Sequence, residues 1–198
     1  MFIQVIQGKT SDTAGLRRQL DQWTQELSSD AKGWLGTTGG VADDGTAFFA
    51  ARFRDEKAAR ANSDRPEQGA WWTETEKYFD GDVTFRDSSD VDVTLVGGSD
   101  DAGFVQVMQG RAPNRSRLKE LEAKFMPEME KTRPDVIGSL RSWDGDHFTD
   151  VIYFTSEAAA RQGEASMDED LPPEMAEFES LVQDLTFIDL KDPWLRSP

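Results

Sequence analysis

The chain has 198 residues, 37% of them hydrophobic and 30% charged, a composition that supports a folded core and excludes a disordered chain. With 38 Asp plus Glu against 22 Lys plus Arg, the formal charge is −16, so duplex nucleic acid and anionic bilayers are poor partners. The absence of cysteine removes disulfides, zinc ribbons, thiolate catalysis and Cys-ligated iron–sulfur clusters.

In chain order, residues 2–8 read as a strand apolar on both parities and closed by Gly8. Leu16, Leu20, Trp23 and Leu27 recur at helical spacing, with Asp12 or Thr13 available as an N-cap, and predict an amphipathic helix. Residues 34–41 and 46–53 read as a hairpin joined by Ala42-Asp43-Asp44-Gly45. Asp55 before Glu56 and an Ala-rich run starts a second helix, which Pro66 and Gly69 are expected to split. Residues 83–86 close the set as a fourth strand.

The pattern then repeats. Phe2-Ile3-Gln4-Val5-Ile6-Gln7-Gly8 lies 102 positions before Phe104-Val105-Gln106-Val107-Met108-Gln109-Gly110, with five of seven residues identical. Leu16 and Trp23 match Leu118 and Phe125, and the stretch 53–60 matches 154–161 at an offset of 101. A hairpin around Asp144-Gly145, a helix after Ser156 broken at Pro172-Pro173 before Met175, Phe178 and Leu181, and a strand over 185–189 complete the second set. The organisation expected is one repeat over 1–96, a Gly- and Asp-rich linker over 97–102, and a second repeat over 103–198. Each has the order βαββαβ of a ferredoxin-like α+β unit. Continuous apolar runs such as Phe48-Phe49-Ala50-Ala51 and Val151-Ile152-Tyr153-Phe154 require burial on both sheet faces. The economical arrangement is an intrachain dimeric α/β-barrel, a covalent pseudo-dimer enclosing a shared interior, with further homodimerisation left open.

No apolar run approaches the roughly 20 residues of a membrane helix. The start Met1-Phe2-Ile3-Gln4 lacks a basic stretch followed by an apolar run, so a cytoplasmic protein is expected.

The Gly-terminated first strand, the helix with Leu16 and Trp23, Gly33-Trp34-Leu35-Gly36, Phe53-Arg54-Asp55-Glu56, Pro66-Glu67-Gln68-Gly69-Ala70-Trp71 and Val83-Thr84-Phe85 resemble the antibiotic biosynthesis monooxygenase group of the dimeric α/β-barrel superfamily. Phe125-Met126-Pro127 adds a helix proline similar to that group's. The resemblance implies a lumen for a small apolar or aromatic molecule, with cofactor-independent oxygenation in some members and haem in others. An axial haem ligand is expected on the second helix, where 66–79 and 172–181 hold no His, so no cofactor is expected.

The candidate site residues follow from chemistry. Gln4, Gln7, Gln106 and Gln109 are amides set in apolar strands; they either bond neighbouring protein groups or contact a ligand. Gln4 and Gln7 have opposite parity, so a straight strand turns only one of them to a given face. Trp34, Trp71, Trp72 and Trp143 either pack a core or wall a flat substrate. Arg52 and Tyr153 hold equivalent positions in the third strands; Arg52 could hold an anionic substrate oxygen and Tyr153 could relay a proton, or both could make ordinary strand-end pairs. His147, beside Asp144, Asp146 and Asp150, lacks the ligand pattern of a calcium loop and reads as a solvated turn. The absence of P-loop, dinucleotide, nucleophile-elbow and HExxH patterns removes the commonest nucleotide, hydrolase and metalloprotease readings. Two functions fit: a small-molecule enzyme of the cofactor-free oxygenase kind acting on an aromatic or polyketide-like substrate, or a non-catalytic binding or interaction protein on the same scaffold. The enzyme needs a cavity of roughly 300 Å³.

Overall fold

A computed structural model of the chain describes residues 1–169, 177, 178 and 180–198. β1 (Phe2–Lys9) occupies an interior position in its sheet, with Phe2, Ile3 and Val5 buried on both of its faces. Asp12 caps α1 (Thr13–Glu26): its Oδ1 accepts the Gly15 amide at 2.8 Å, and Leu16, Leu20 and Trp23 form the buried stripe. β2 (Trp34–Val41) and β3 (Thr46–Phe53) form the expected hairpin, its turn closed by Gly45 at φ +80. Asp55 caps α2 (Glu56–Ser63) through the Ala58 amide at 2.8 Å. The break expected after α2 falls at Pro66, which opens α3 (Pro66–Thr75) at a position needing no N–H; Gly69 lies inside α3 and breaks nothing.

β4 (Thr84–Ser88) and β5 (Val91–Leu95) follow, then β6 (Phe104–Arg111), α4 (Arg115–Thr132), β7 (Val136–Asp144), β8 (His147–Phe154), α5 (Glu157–Glu169), β9 (Gln183–Leu190) and β10 (Trp194–Arg196). The break expected at Pro172-Pro173, with Met175, lies outside the described residues. Phe178 and Leu181 pack against Leu118, Trp143 and Phe148.

The strands form two antiparallel five-stranded sheets, ordered β10-β2-β3-β1-β4 and β5-β7-β8-β6-β9. Each is a ferredoxin-like α+β set with one strand added beside β2 or β7. Those added strands, β5 and β10, are absent from the sequence reading, because one follows the last matched strand of its half and the other has only three residues. Their placement redraws the units. One compact unit comprises residues 1–91 with 192–198, the other 92–191, so each crosses the 1–96, 97–102 and 103–198 division drawn from the sequence. The first sheet takes its edge strand from the end of the chain, where buried Trp194 pairs in register with Gly39 and stacks near Phe49 at 6.0 Å. Arg17 sits over the Trp194 ring and pairs with Asp192, and Arg196 pairs with Asp21 at 2.6 Å, fastening β10 to α1.

Register assigns the faces of the first sheet. Phe2, Phe53 and Trp34 align in one row, Gln4, Ala51 and Thr37 in the next, and Ile6, Phe49 and Gly39 in a third, all beneath the helices. Ile3, Arg52 and Gly36, then Val5, Ala50 and Thr38, occupy the opposite face. Ile3, Val5, Phe48 and Ala50 on that face are also buried, as the continuous apolar run in β3 requires.

Candidate functional site

A cavity of about 80 Å³ lies inside the first unit, between the helix-covered face of its sheet and α1, α2 and α3. Strand alternation builds its floor: Gln4, Ile6, Phe49, Ala51 and Phe53 point the same way because their registers place them on one face. Its roof and walls are Trp23 of α1, Trp34 of β2, and Trp71 and Trp72 of α3. Trp23 meets Trp34 edge-on at 5.0 Å, and Trp71 stands 6.4 Å from Trp23 and 6.1 Å from Trp72.

Hydrogen bonds fix most of these rings. Trp23 Nε1 donates to Gln68 Oε1 at 2.6 Å, Trp34 Nε1 to Thr37 Oγ1 at 3.0 Å, and Trp71 Nε1 to the Gln19 carbonyl at 2.9 Å. Asn62 Nδ2 also donates to Gln68 Oε1, at 3.2 Å, so Gln68 accepts twice and keeps its Nε2 donor free among the described residues. Gln4 Nε2 donates to Asp87 Oδ1 at 2.9 Å. A carboxylate accepts only, so this contact fixes the amide orientation and leaves Gln4 Oε1 as the acceptor offered to the cavity. None of the lining side chains is ionisable. The space suits a flat uncharged molecule, and it holds no general base.

The site expected from the sequence is therefore only partly assembled here. Gln4, Trp34, Trp71 and Trp72 line the cavity together. Gln7 pairs with Phe48 on the opposite face of the same sheet, as parity required. Arg52 also faces away from the cavity, beside Ile3 and Gly36. In the second unit Gln106 Nε2 donates to Asp189 Oδ1 at 3.1 Å, Gln109 Nε2 donates to Thr149 at 3.3 Å, and Tyr153 is buried between Val105 and Gly138. Trp143 donates to Asp92 Oδ2 at 2.7 Å in that unit. The sequence reading missed Asn62 and Gln68, whose spacing of six residues across the Pro66 break gave no helical signal. It also missed the carboxylates behind the amides. Asp87 and Asp189 are themselves held by Arg60, at 3.4 Å, and by Arg161, so both units carry the same Gln–Asp–Arg relay.

The second unit fills the counterpart space differently. Asp150 Oδ2 accepts from Arg141 at 2.7 Å, Ser139 Oγ donates to its Oδ1 at 2.7 Å, and Arg141 Nη1 reaches Glu122 at 2.5 Å. Burial opposes the Arg141 charge, but Asp150 and Glu122 outweigh it and hold the guanidinium protonated more firmly than usual. Asp146 pairs with Arg111 at 2.7 Å and Asp150 with Arg141, so these two acidic residues near His147 are engaged in ion pairs of their own. Among the described residues no three His, Asp or Glu side chains gather as a metal site. Haem does not fit the first-unit cavity either: at about 80 Å³ it has no room for a macrocycle, and it offers no His, Cys, Tyr or Met ligand.

No protein-family model and no curated protein matches the chain. Solved structures do. A candidate monooxygenase from Lactobacillus acidophilus superposes with a TM-score of 0.72 at 10% identity over 99% of both chains. One from Fusobacterium nucleatum gives 0.73 at 8% identity, over 99% of this chain and 94% of that one. An anthrone oxidase-like protein gives 0.62 at 12% identity, over 99% and 93%. At such identities the likeness establishes the fold alone, a ferredoxin-like α+β fold, and leaves activity to the site. Among the described residues no helix is long and apolar enough to cross a membrane.

Proposed function

We propose that this protein binds a small, uncharged aromatic or polyketide-like molecule in the tryptophan-lined cavity of its first unit. The observation that carries this reading is an apolar chamber free of ionisable groups, in which Gln4 Oε1 is held as an acceptor and Gln68 Nε2 remains as a donor. A cavity of about 80 Å³ is smaller than the ~150 Å³ that admits benzene. Half-buried Trp71 and Trp72 on α3 are the wall that yields when the ligand enters. The test is titration with 1-naphthol, read by tryptophan fluorescence. Saturable quenching that weakens in Trp71→Ala and in Gln4→Leu supports the reading, and quenching without saturation removes it.

The neighbours described as monooxygenases favour a second reading, cofactor-independent oxygenation of the bound molecule. Because no lining residue can take a proton, the substrate must ionise by its own acidity. The ionised proton leaves to solvent and the Gln68 amide N–H stabilises the oxyanion; the carbanion then reduces dioxygen by one electron, the radical pair joins in a C–O bond, and the hydroperoxide, reprotonated from solvent, cleaves its O–O bond with loss of water to leave the carbonyl product. Dioxygen uptake with an acidic hydroxyaromatic, measured at an oxygen electrode, decides it: binding without uptake leaves a ligand-binding protein. The two halves are read as repeats of one ancestral unit, of which the first keeps the chamber described here.

A further inference from the structure

We propose that Thr37 selects the ligand of the first-unit cavity: its hydroxyl donates a hydrogen bond to an acceptor oxygen, so the occupant is an uncharged ring compound that carries a carbonyl group. The role of Thr37 rests on that cavity being a binding site. Thr37 is 6% exposed and lines the cavity. Its Oγ1 accepts from Trp34 Nε1 at 3.0 Å, and among the described residues its own proton has no acceptor. A hydroxyl carries one donor beside its acceptor lone pairs, and a buried donor left without a partner is unfavourable.

The backbone is bent to bring this hydroxyl to the cavity. Trp34 and Thr37 are three residues apart, a spacing that turns side chains of a straight strand to opposite faces. The bulge between Trp34 and Gly36, with Gly36 at φ +134, adds one residue, so Trp34 pairs with Phe53 and Thr37 with Ala51 on the helix-covered face. Thr37 and Gln4 then flank Ala51 in one row, and the alanine methyl leaves the floor between them low.

The second unit shows what such a hydroxyl does when an acceptor is present. The same register shift, between Val136 and Gly138, brings Ser139 to the counterpart position opposite Ile152. Ser139 Oγ donates to Asp150 Oδ1 at 2.7 Å. In the first unit Phe49 stands where Asp150 does, so the hydroxyl is kept and its acceptor is gone. A ligand oxygen completes the bond. A carbonyl suits it better than a carboxylate, because no lining side chain is ionisable and an anion would enter without a counter-charge.

The experiment titrates ¹⁵N-labelled protein with 1-indanone and, separately, with indane, the same skeleton without the oxygen, and reads affinity from the Trp71 indole N–H signal. Thr37→Val is expected to lower the ratio of 1-indanone to indane affinity about fivefold to tenfold, the effect of losing one hydrogen bond. Thr37→Ser, which keeps the hydroxyl, leaves the ratio as in the wild type. The comparison is repeated in a Trp34→Phe background, where Thr37→Val strands no indole N–H. An affinity ratio unmoved by Thr37→Val, or lowered equally by Thr37→Ser, overturns the role of Thr37, while saturable binding of either compound leaves the cavity reading standing. A Trp71 signal that neither compound moves removes both.

Discussion

Phe49 and Asp150 occupy the same place in the two units: Phe49 lies in register between Ile6 and Gly39, Asp150 between Met108 and Arg141. One exchange accounts for the difference in what lies beneath the helices. In the first unit a large ring faces a glycine that gives it room, since a Cβ on Gly39 would collide with Phe49 Cδ1. In the second unit the same two positions hold an ion pair that replaces the apolar wall with charge.

Arg141→Met is expected to cost about 3–5 kcal/mol in urea unfolding, because it strands the Asp150 and Glu122 carboxylates that it neutralises. Arg141→Met combined with Asp150→Leu should recover most of that loss, since the deeper of the two charges is then absent as well. Equal losses in the single and double variants would show that the stranded Asp150 charge is not the source of the cost.

Gly39→Ala is expected to destabilise by about 1–3 kcal/mol through overpacking against Phe49. Adding Phe49→Leu should relieve the crowding, so that the double variant costs less than the sum of the two single changes. Additive losses would mean that the two residues do not press on each other.

Asp87→Leu removes the carboxylate that fixes the Gln4 amide. With the amide free to turn, a ligand that donates a hydrogen bond should bind more weakly while an isosteric ligand without a donor is unaffected. Comparing 1-naphthol with naphthalene by fluorescence titration checks this, and an equal change for both places the effect elsewhere.

Lys9 donates to Asp44 at 2.7 Å and, helped by Thr46, lowers the Asp44 carboxyl from 3.8 to about 2. A folded-state pKa below the unfolded one gives stabilisation that is complete above about 4 and lost as pH falls through about 2. Both side chains are largely exposed, so the energetic effect is small and screened by salt. Carboxyl NMR should place the Asp44 midpoint near 2 in the wild type and higher in Lys9→Met; an unchanged midpoint would assign the shift to Thr46.

Trp194→Ala should cost about 3–5 kcal/mol, because the indole is fully buried against Phe49 and the α1 surface. Thermal unfolding measures it, and a loss below about 1 kcal/mol would mean that the first sheet tolerates an empty edge.

Much of this architecture was legible because it is written in short periods. Capping Asp12 and Asp55, the glycine turn at Gly45 and the alternation in β1 and β3 are local signals, and the elements they mark lie where the sequence puts them. What escaped was non-local. β10 has three residues and no pattern of its own; Trp194 matters because it reaches Gly39, a partner 155 positions away. The site was half legible for the same reason. Parity separated Gln4 from Gln7, and tryptophan content pointed to an aromatic wall. Which face Gln4 took, and that Asp87 stood behind it, depended on pairing across 83 residues.

The placement of β10 also bears on how the protein is made. Translation delivers the first 91 residues long before Trp194, so until β10 arrives a nascent first unit holds the outer amides of β2 unsatisfied, and that open edge is an invitation to pair with another nascent strand.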